Sequence, residues 1–195
     1  ETLKIDFEKY QAIAIGPGLG NKEGQTRLLN YIINKTKACL VLDADALNIL
    51  SVHPNWMSAL PKKTILTPHL KEFDRLFGKH ESWFERVEKG REMAIKYQIV
   101  IVLKNQYTFT MIPDGQVLIN PTGNPAMATG GIGDVLTGMI AAFLAQGYEP
   151  EESAFIACYL HGRAGDFLKE SGMNSIPPRY LISKLPEILG AYTCP

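Results

Sequence analysis

The sequence predicts an α/β fold of three layers, α/β/α, with helices packed on both faces of a mostly parallel sheet and right-handed crossovers. Three observations lead there. From Ala12 to Ile119, short apolar runs with strand character alternate with segments of helical periodicity, the pattern of strand–helix–strand units. The run Ile99–Leu103 (IVIVL) is apolar throughout, as a strand buried on both faces should be. Finally, each polar or glycine-rich motif falls just after a strand, at the edge where such sheets bind ligands.

Taken in order, Ala12–Ile15 is a short strand that stops at GPGLG (Gly16–Gly20). Leu28, Leu29, Ile32 and Ile33 then mark one face of a helix. Leu40–Leu42 is the second strand, ending in DADALN (Asp43–Asn48), and Thr64–Leu66 the third, ending in TPH (Thr67–His69). A short helix carries Leu70, Phe73, Leu76 and Phe77. Ser82 and Glu85 have capping-box spacing ahead of a helix from about Trp83 to Tyr97. The fourth strand ends at Lys104-Asn105-Gln106. Tyr107–Met111 and Gln116–Ile119, joined by Pro113-Asp114-Gly115, read as a hairpin. Helices are expected over about Gly131–Gln146 and Glu151–Lys169. On the second, Ala154, Ala157, Cys158, His161 and Ala164 form one stripe, and Gly162 and Gly165 would let a neighbour approach closely. The tail closes with a short helix near Ser183–Leu189.

The stretch Asn120–Gly138 (NPTGNPAMATGGIGDVLTG) organises the rest. Gly130, Gly131 and Gly133 sit just ahead of Leu136, Met139, Ile140 and Phe143, which have the spacing of a helix face. A glycine-rich helix entry presents unpaired N–H groups and the positive end of the helix dipole, an arrangement suited to phosphate. Asp134 would repel a phosphate. It reads either as a base beside the group transferred or as a first-turn acid worth roughly 0.3–1 kcal/mol. The stretch is neither a Walker A loop nor a strict G-x-G-x-x-G.

Length and composition give the bounds. The 195 residues suit one domain, 1–195, with 46% apolar and 21% charged residues. Twenty basic and twenty acidic residues balance, so neither a nucleic-acid nor a membrane-surface role is expected. No apolar run approaches the ~20 residues of a membrane span. Cys39, Cys158 and Cys194 match no metal-ligand spacing. They read as unpaired thiols of a reducing cytoplasm, Cys39 and Cys158 as plain buried ones. The chain begins at Glu1 rather than methionine, which suggests a processed or truncated piece.

Single residues leave alternatives open. Lys104 is a phosphate or nucleotide contact, or a lysine snorkelling from a strand end. His69 is a ligand contact, or a helix-entry residue with a satisfied ring. Asp43 and Asp45 suit a metal or a ribose, while Asp45 also suits an N-cap for a helix at Ala46. His53, His80 and His161 read as structural.

IGPGLG, LDADALN, LTPHLKEF, the lysine of VLKNQ and above all NPTGNPAMATGGIGDVLTG resemble the NAD(P)H-hydrate dehydratases, a carbohydrate-kinase-like branch of the ribokinase-like superfamily. The resemblance spans nearly the whole chain. It implies a repair enzyme that removes water from hydrated NADH or NADPH, consuming ADP (or ATP) and normally accompanied by Mg2+. By the same resemblance Gly18, Gly20, His69 and Asp134 contact the hydrated dinucleotide. Lys104, Asn105, Gln106, Tyr107, Thr108, Thr129, Gly130, Gly131 and Gly133 contact the adenylate, and Asp134 is the catalytic base. Asn105 departs from the usual lysine–glycine run. A homo-oligomer, a tetramer, is also implied.

The family domain usually has a further N-terminal portion, and many bacterial members carry an epimerase domain. Neither is visible here, so part of the substrate site is expected to be absent or supplied by another polypeptide. Two rivals stand beside this reading. One is a small-molecule alcohol kinase of the same fold, acting on a thiazole, a pyrimidine or a sugar. The other is a nucleotide-binding module without catalysis.

Overall fold

The computed structural model describes residues 5–192; Cys194 lies outside them. Six strands form one sheet in sequence order: β1 (Ala12–Ile15), β2 (Cys39–Leu42), β3 (Ile65–Leu66), β4 (Val100–Leu103), β5 (Thr108–Met111) and β6 (Val117–Asn120). The first four are parallel, and β5 and β6 are antiparallel additions. The antiparallel neighbour of β4 follows from the short connection Lys104–Tyr107, since a parallel crossover needs a dozen residues or more.

Sequential order means that every parallel crossover steps the same way, so crossovers of one hand put all their helices on one face. That face carries α1 (Glu23–Lys35), α2 (Ala44–Val52), α3 (Leu70–Phe77) and α4 (Trp83–Tyr97). Leu29, Ile32, Leu50, Phe73 and Met93 pack there with Leu40, Leu42, Ile101 and Leu103. The second face still has to be covered. The C-terminal helices α5 (Ile132–Ala145), α6 (Pro150–Glu170) and α7 (Pro178–Gly190) do this, with Leu136, Ile140, Ala157, Leu160 and Leu181 on Val41, Ile65, Val100 and Val102. Successive residues of β2 and β4 therefore enter opposite cores, which is why neither strand has a polar position.

Close packing of α6 depends on its glycines. A side chain at Gly162 would run into Thr122 and the backbone of Gly123, and one at Gly165 into Met127. These contacts seat the loop after β6 against α6, and that loop leads to the site.

Three local expectations are corrected. The residue ahead of α2 is Asp43, not Asp45, and Ala44 begins the helix with φ of 46°. Asp43 makes no capping bond because its carboxylate is engaged elsewhere. Ser82 does cap α4, accepting from the Glu85 N–H at 3.1 Å. The Glu85 carboxylate turns instead to the Glu81 N–H at 2.9 Å, so no reciprocal box closes. Lastly, α7 begins at Pro178, well ahead of Ser183, with proline in the first turn, where its missing N–H costs nothing.

Candidate active site

The carboxyl ends of β3 and β4, the hairpin and the entry to α5 enclose a cavity of about 1000 Å3. His69 and the run Lys104–Thr108 form one wall. Asn120–Pro125, Met127–Thr129, Ile132, Gly133 and Leu136 form another, and Cys158, His161 and Gly162 of α6 close the back.

The entry to α5 has the geometry that its glycines predict. Gly131 caps the helix with φ of 87°, and a Cβ there would meet Pro178 at 2.9 Å. The N–H groups of Gly130, Gly131, Gly133 and Asp134 find no acceptor among the described residues. These free donors coincide with the positive end of the α5 dipole.

Beneath this entry lies a charged cluster that spans three elements. The Lys104 ammonium donates to Asp43 Oδ1 at 2.8 Å, and the Thr137 hydroxyl donates to Asp43 Oδ2 at 2.7 Å. The Asp43 side chain is 2% exposed and that of Lys104 21%. A Cβ at Gly133 would stand 3.2 Å from Lys104 Nζ and 4.0 Å from Asp43 Oδ2, so glycine there leaves the ammonium its place. The fixed lysine cancels a buried negative charge that would otherwise repel an anion at the helix entry.

His69 is the helix-entry residue of α3, and it also lines the cavity. Its Nδ1 accepts from the N–H groups of Lys71 at 3.1 Å and Glu72 at 3.4 Å, capping α3, while Glu72 Oε2 accepts from the His69 N–H at 2.9 Å. An accepting Nδ1 leaves the ring proton on Nε2, 3.3 Å from Glu72 Oε1. Burial holds this imidazole below the usual histidine range, and the Lys104 and Arg75 charges add to the effect against the pull of Glu72. His161, read as structural from the sequence, stands in the cavity wall with Nε2 3.1 Å from the Ile132 carbonyl. Burial lowers its pKa to about 4, so it donates as a neutral ring. Cys158 is buried beside it with its thiol pushed up to about 12, again by burial, which keeps it protonated and inert.

The loop from β6 to α5 is braced from behind. Asp166 accepts from the Gly123 N–H at 3.1 Å and from Asn124 Nδ2 at 3.0 Å, and the Thr129 hydroxyl donates to the Ile176 carbonyl at 2.6 Å.

His69, Lys104, Asn105, Gln106, Tyr107, Thr108, Thr129 and Gly133 thus share the cavity wall. Gly130, Gly131 and Asp134 stand beside it at the α5 entry, where Asp134 is exposed. Gly18 and Gly20 lie outside the wall, on the loop after β1. Asp43, Thr137 and Asp166 complete the site. The place of DADALN at the end of β2 marks Asp43, though as a metal or ribose ligand rather than the partner of Lys104, and nothing in the sequence marks Thr137 or Asp166. Among the described residues no group of three or more His, Cys, Asp or Glu could hold a metal ion.

Comparison with known proteins gives this geometry a family. The chain is 39% identical over 192 residues to the bifunctional NAD(P)H-hydrate repair enzyme Nnr of Moorella thermoacetica, which covers 97% of this chain and 36% of that protein. It therefore spans about a third of the length of that relative. The crystal structure of ADP/ATP-dependent NAD(P)H-hydrate dehydratase from Bacillus subtilis, co-crystallized with ATP/Mg2+ and soaked with CoA, superposes with a TM-score of 0.83. Identity there is 35%, over 94% of this chain and 67% of that one. A ribokinase-like superfamily protein from Enterococcus faecalis gives the same TM-score at 31% identity, over 95% of this chain and 64% of that one. The family model for NAD(P)H-hydrate dehydratase matches residues 2–187, nearly the whole chain, and the chain belongs to that family.

Proposed function

We propose that the chain, as one ribokinase-like domain, restores NAD(P)H from its hydrate at the expense of ADP or ATP. The observation that carries this reading is the α5 entry. Unpaired N–H groups, Gly133 and Asp134 stand over the Lys104–Asp43 pair at the mouth of the cavity. Family membership supplies the reaction class.

In the proposed reaction the ring hydroxyl of the hydrate gives its proton to Asp134, and its oxygen bonds to the terminal phosphorus of the nucleotide as the phosphoanhydride bond breaks. The C–O bond then breaks with phosphate as leaving group, and loss of a ring proton restores the double bond. The N–H groups of Gly130, Gly131 and Gly133 hold the transferred phosphate where its charge develops. Lys104–Thr108 and Thr129 take the adenylate side of the cavity. His69, Gly18 and Gly20 take the hydrated dinucleotide, with Asp134 between the two substrates.

Mg2+ fits as a companion of the nucleotide. Both oxygens of Asp43 are taken by Lys104 and Thr137, which leaves Asp134 as the exposed carboxylate at the α5 entry. An ion that keeps several waters and is held mainly by phosphates needs one or two carboxylates. When bound, it neutralises phosphate charge.

The proposal extends to a cytoplasmic homo-oligomer, a tetramer, working beside an epimerase domain or protein. No helix among the described residues is long and apolar enough to cross a membrane. Val52, Trp83, Phe84 and Ile119 are exposed apolar side chains available for assembly. A strictly monomeric protein in light scattering at micromolar concentration would refute the oligomer. The test of function is recovery of reduced-nicotinamide absorbance from hydrated NADH or NADPH with ADP, in the full-length protein. No recovery, with phosphorylation of a small alcohol in its place, would overturn it. Binding of ADP without turnover of either kind would favour a non-catalytic module.

A further inference from the structure

The DADALN segment does more than end a strand. Its first carboxylate belongs to the Lys104 cluster, but Asp45 faces the other way. Asp45 Oδ2 accepts from the Gly20 N–H at 2.8 Å, across 25 residues of sequence. Its Oδ1 lies 3.5 Å from Asn48 Nδ2, and Asn48 Oδ1 accepts from Arg75 Nη1 at 2.8 Å. A polar line therefore runs from the loop after β1, across the first turns of α2, to α3, the helix capped by His69.

The loop needs such support. Gly16, Gly18 and Gly20 all have positive φ, at 138°, 63° and 78°. Such a segment has little conformational preference of its own and loses much entropy when fixed. Three tethers hold it. The Leu19 N–H donates to the Gly16 carbonyl at 3.0 Å, closing a turn with proline and glycine at its centre. The Asp43 carbonyl fills the space where a Gly16 side chain would stand. Asp45 holds the far end at Gly20, and a Cβ added at Gly18 would meet no other described residue within 4 Å.

Resting on the dehydratase reading above, we propose that Asp45 is a positioning residue for the hydrated dinucleotide, locking the Gly16–Gly20 loop in register with α3 and His69. It touches no reacting atom. Its removal lets the loop move and weakens substrate capture, while nucleotide binding and the chemical step, which use α5, remain.

The test compares Asp45→Ala and Asp45→Asn in the full-length protein. Asparagine keeps an acceptor oxygen for the Gly20 N–H but removes the negative charge that also favours the α2 terminus. In Asp45→Ala the KM for hydrated NADH should rise about tenfold at unchanged kcat and ADP affinity, and Asp45→Asn should restore it to within about twofold. Amide exchange at Gly20 should speed up in Asp45→Ala and stay slow in Asp45→Asn. If asparagine behaves like alanine, Asp45 is only a helix-terminal charge and the inference falls. Equal losses in kcat and ADP affinity, or unaltered Gly20 exchange in Asp45→Ala, overturn it as well. A wild type without turnover would refute the dehydratase reading instead, and Gly20 exchange alone would then decide whether the brace exists.

Discussion

Removing Lys104 should injure the fold more than removing the carboxylate it pairs with. In Lys104→Met, Asp43 keeps the Thr137 hydroxyl at 2.7 Å but loses its ammonium, and with 2% exposure it cannot turn to water. Orphaning a buried charge in this way costs about 3–5 kcal/mol, and the lower end applies because a hydroxyl partner remains. Asp43→Asn is milder. The Lys104 head, 21% exposed, can turn into the cavity's water, and the amide oxygen still accepts one bond. About 1–2 kcal/mol is expected there. The double variant should cost less than the sum of the two, by roughly 1–2 kcal/mol, because the groups meet directly. Urea unfolding of the four proteins, read as midpoint and slope, measures all three quantities. A Lys104→Met loss no larger than that of Asp43→Asn, or strict additivity, would refute the account of a caged carboxylate.

Other predictions follow from the same site. Asp134 is exposed in the first turn of α5, so Asp134→Asn should cost a few tenths to about 1 kcal/mol of stability. Turnover should nevertheless fall roughly 10²–10⁴-fold at near-normal ADP affinity, and near-normal turnover would end the base assignment. His161 and His69 are both held below the ordinary range, so as the pH falls the unfolded chain binds protons first. Stability should be fully present above about pH 6.5 and decline towards His161's folded value of about 4. The difference in Tm between wild type and His161→Gln across that window should shrink with falling pH, and a constant difference would contradict it. Gly162→Ala should destabilise more than Gly165→Ala. Its Cβ would stand 2.7 and 2.8 Å from backbone atoms of Thr122 and Gly123, which cannot step aside as the Met127 side chain can. Thermal melts showing the reverse order would refute this packing account.

The sheet was largely legible because its strands are buried on both faces and carry unbroken apolar runs, with IVIVL the plainest. The hairpin was legible in its Pro-Asp-Gly turn, and the closeness of α6 in Gly162 and Gly165. Local rules failed where distant partners outbid them. Capping statistics favour Asp45 ahead of a helix at Ala46, yet Gly20 claims its carboxylate, while Lys104 and Thr137 claim that of Asp43. Glu85 leaves the capping box open because the Glu81 N–H lies within its reach as well. At the site, motif order placed His69, Lys104 and Gly133 on one wall. Gly18 and Gly20 stand apart because β1 is three strands from β4, about 14 Å across the sheet.

The sequential strand order also bears on how the chain assembles. The parallel strands β1–β4 are joined by crossovers and the antiparallel β5 and β6 by short turns, so the sheet and α1–α4 can grow by adding each unit to the one before it. The Thr137–Asp43 bond closes 94 residues of sequence and forms only when α5 docks on the opposite face. Closure over such a span brings little gain until both ends are already ordered. The glycine-rich entry to α5 should thus be a late product of folding. In a refolding experiment, recovery of nucleotide binding should lag behind the far-ultraviolet signal of the sheet and the first four helices.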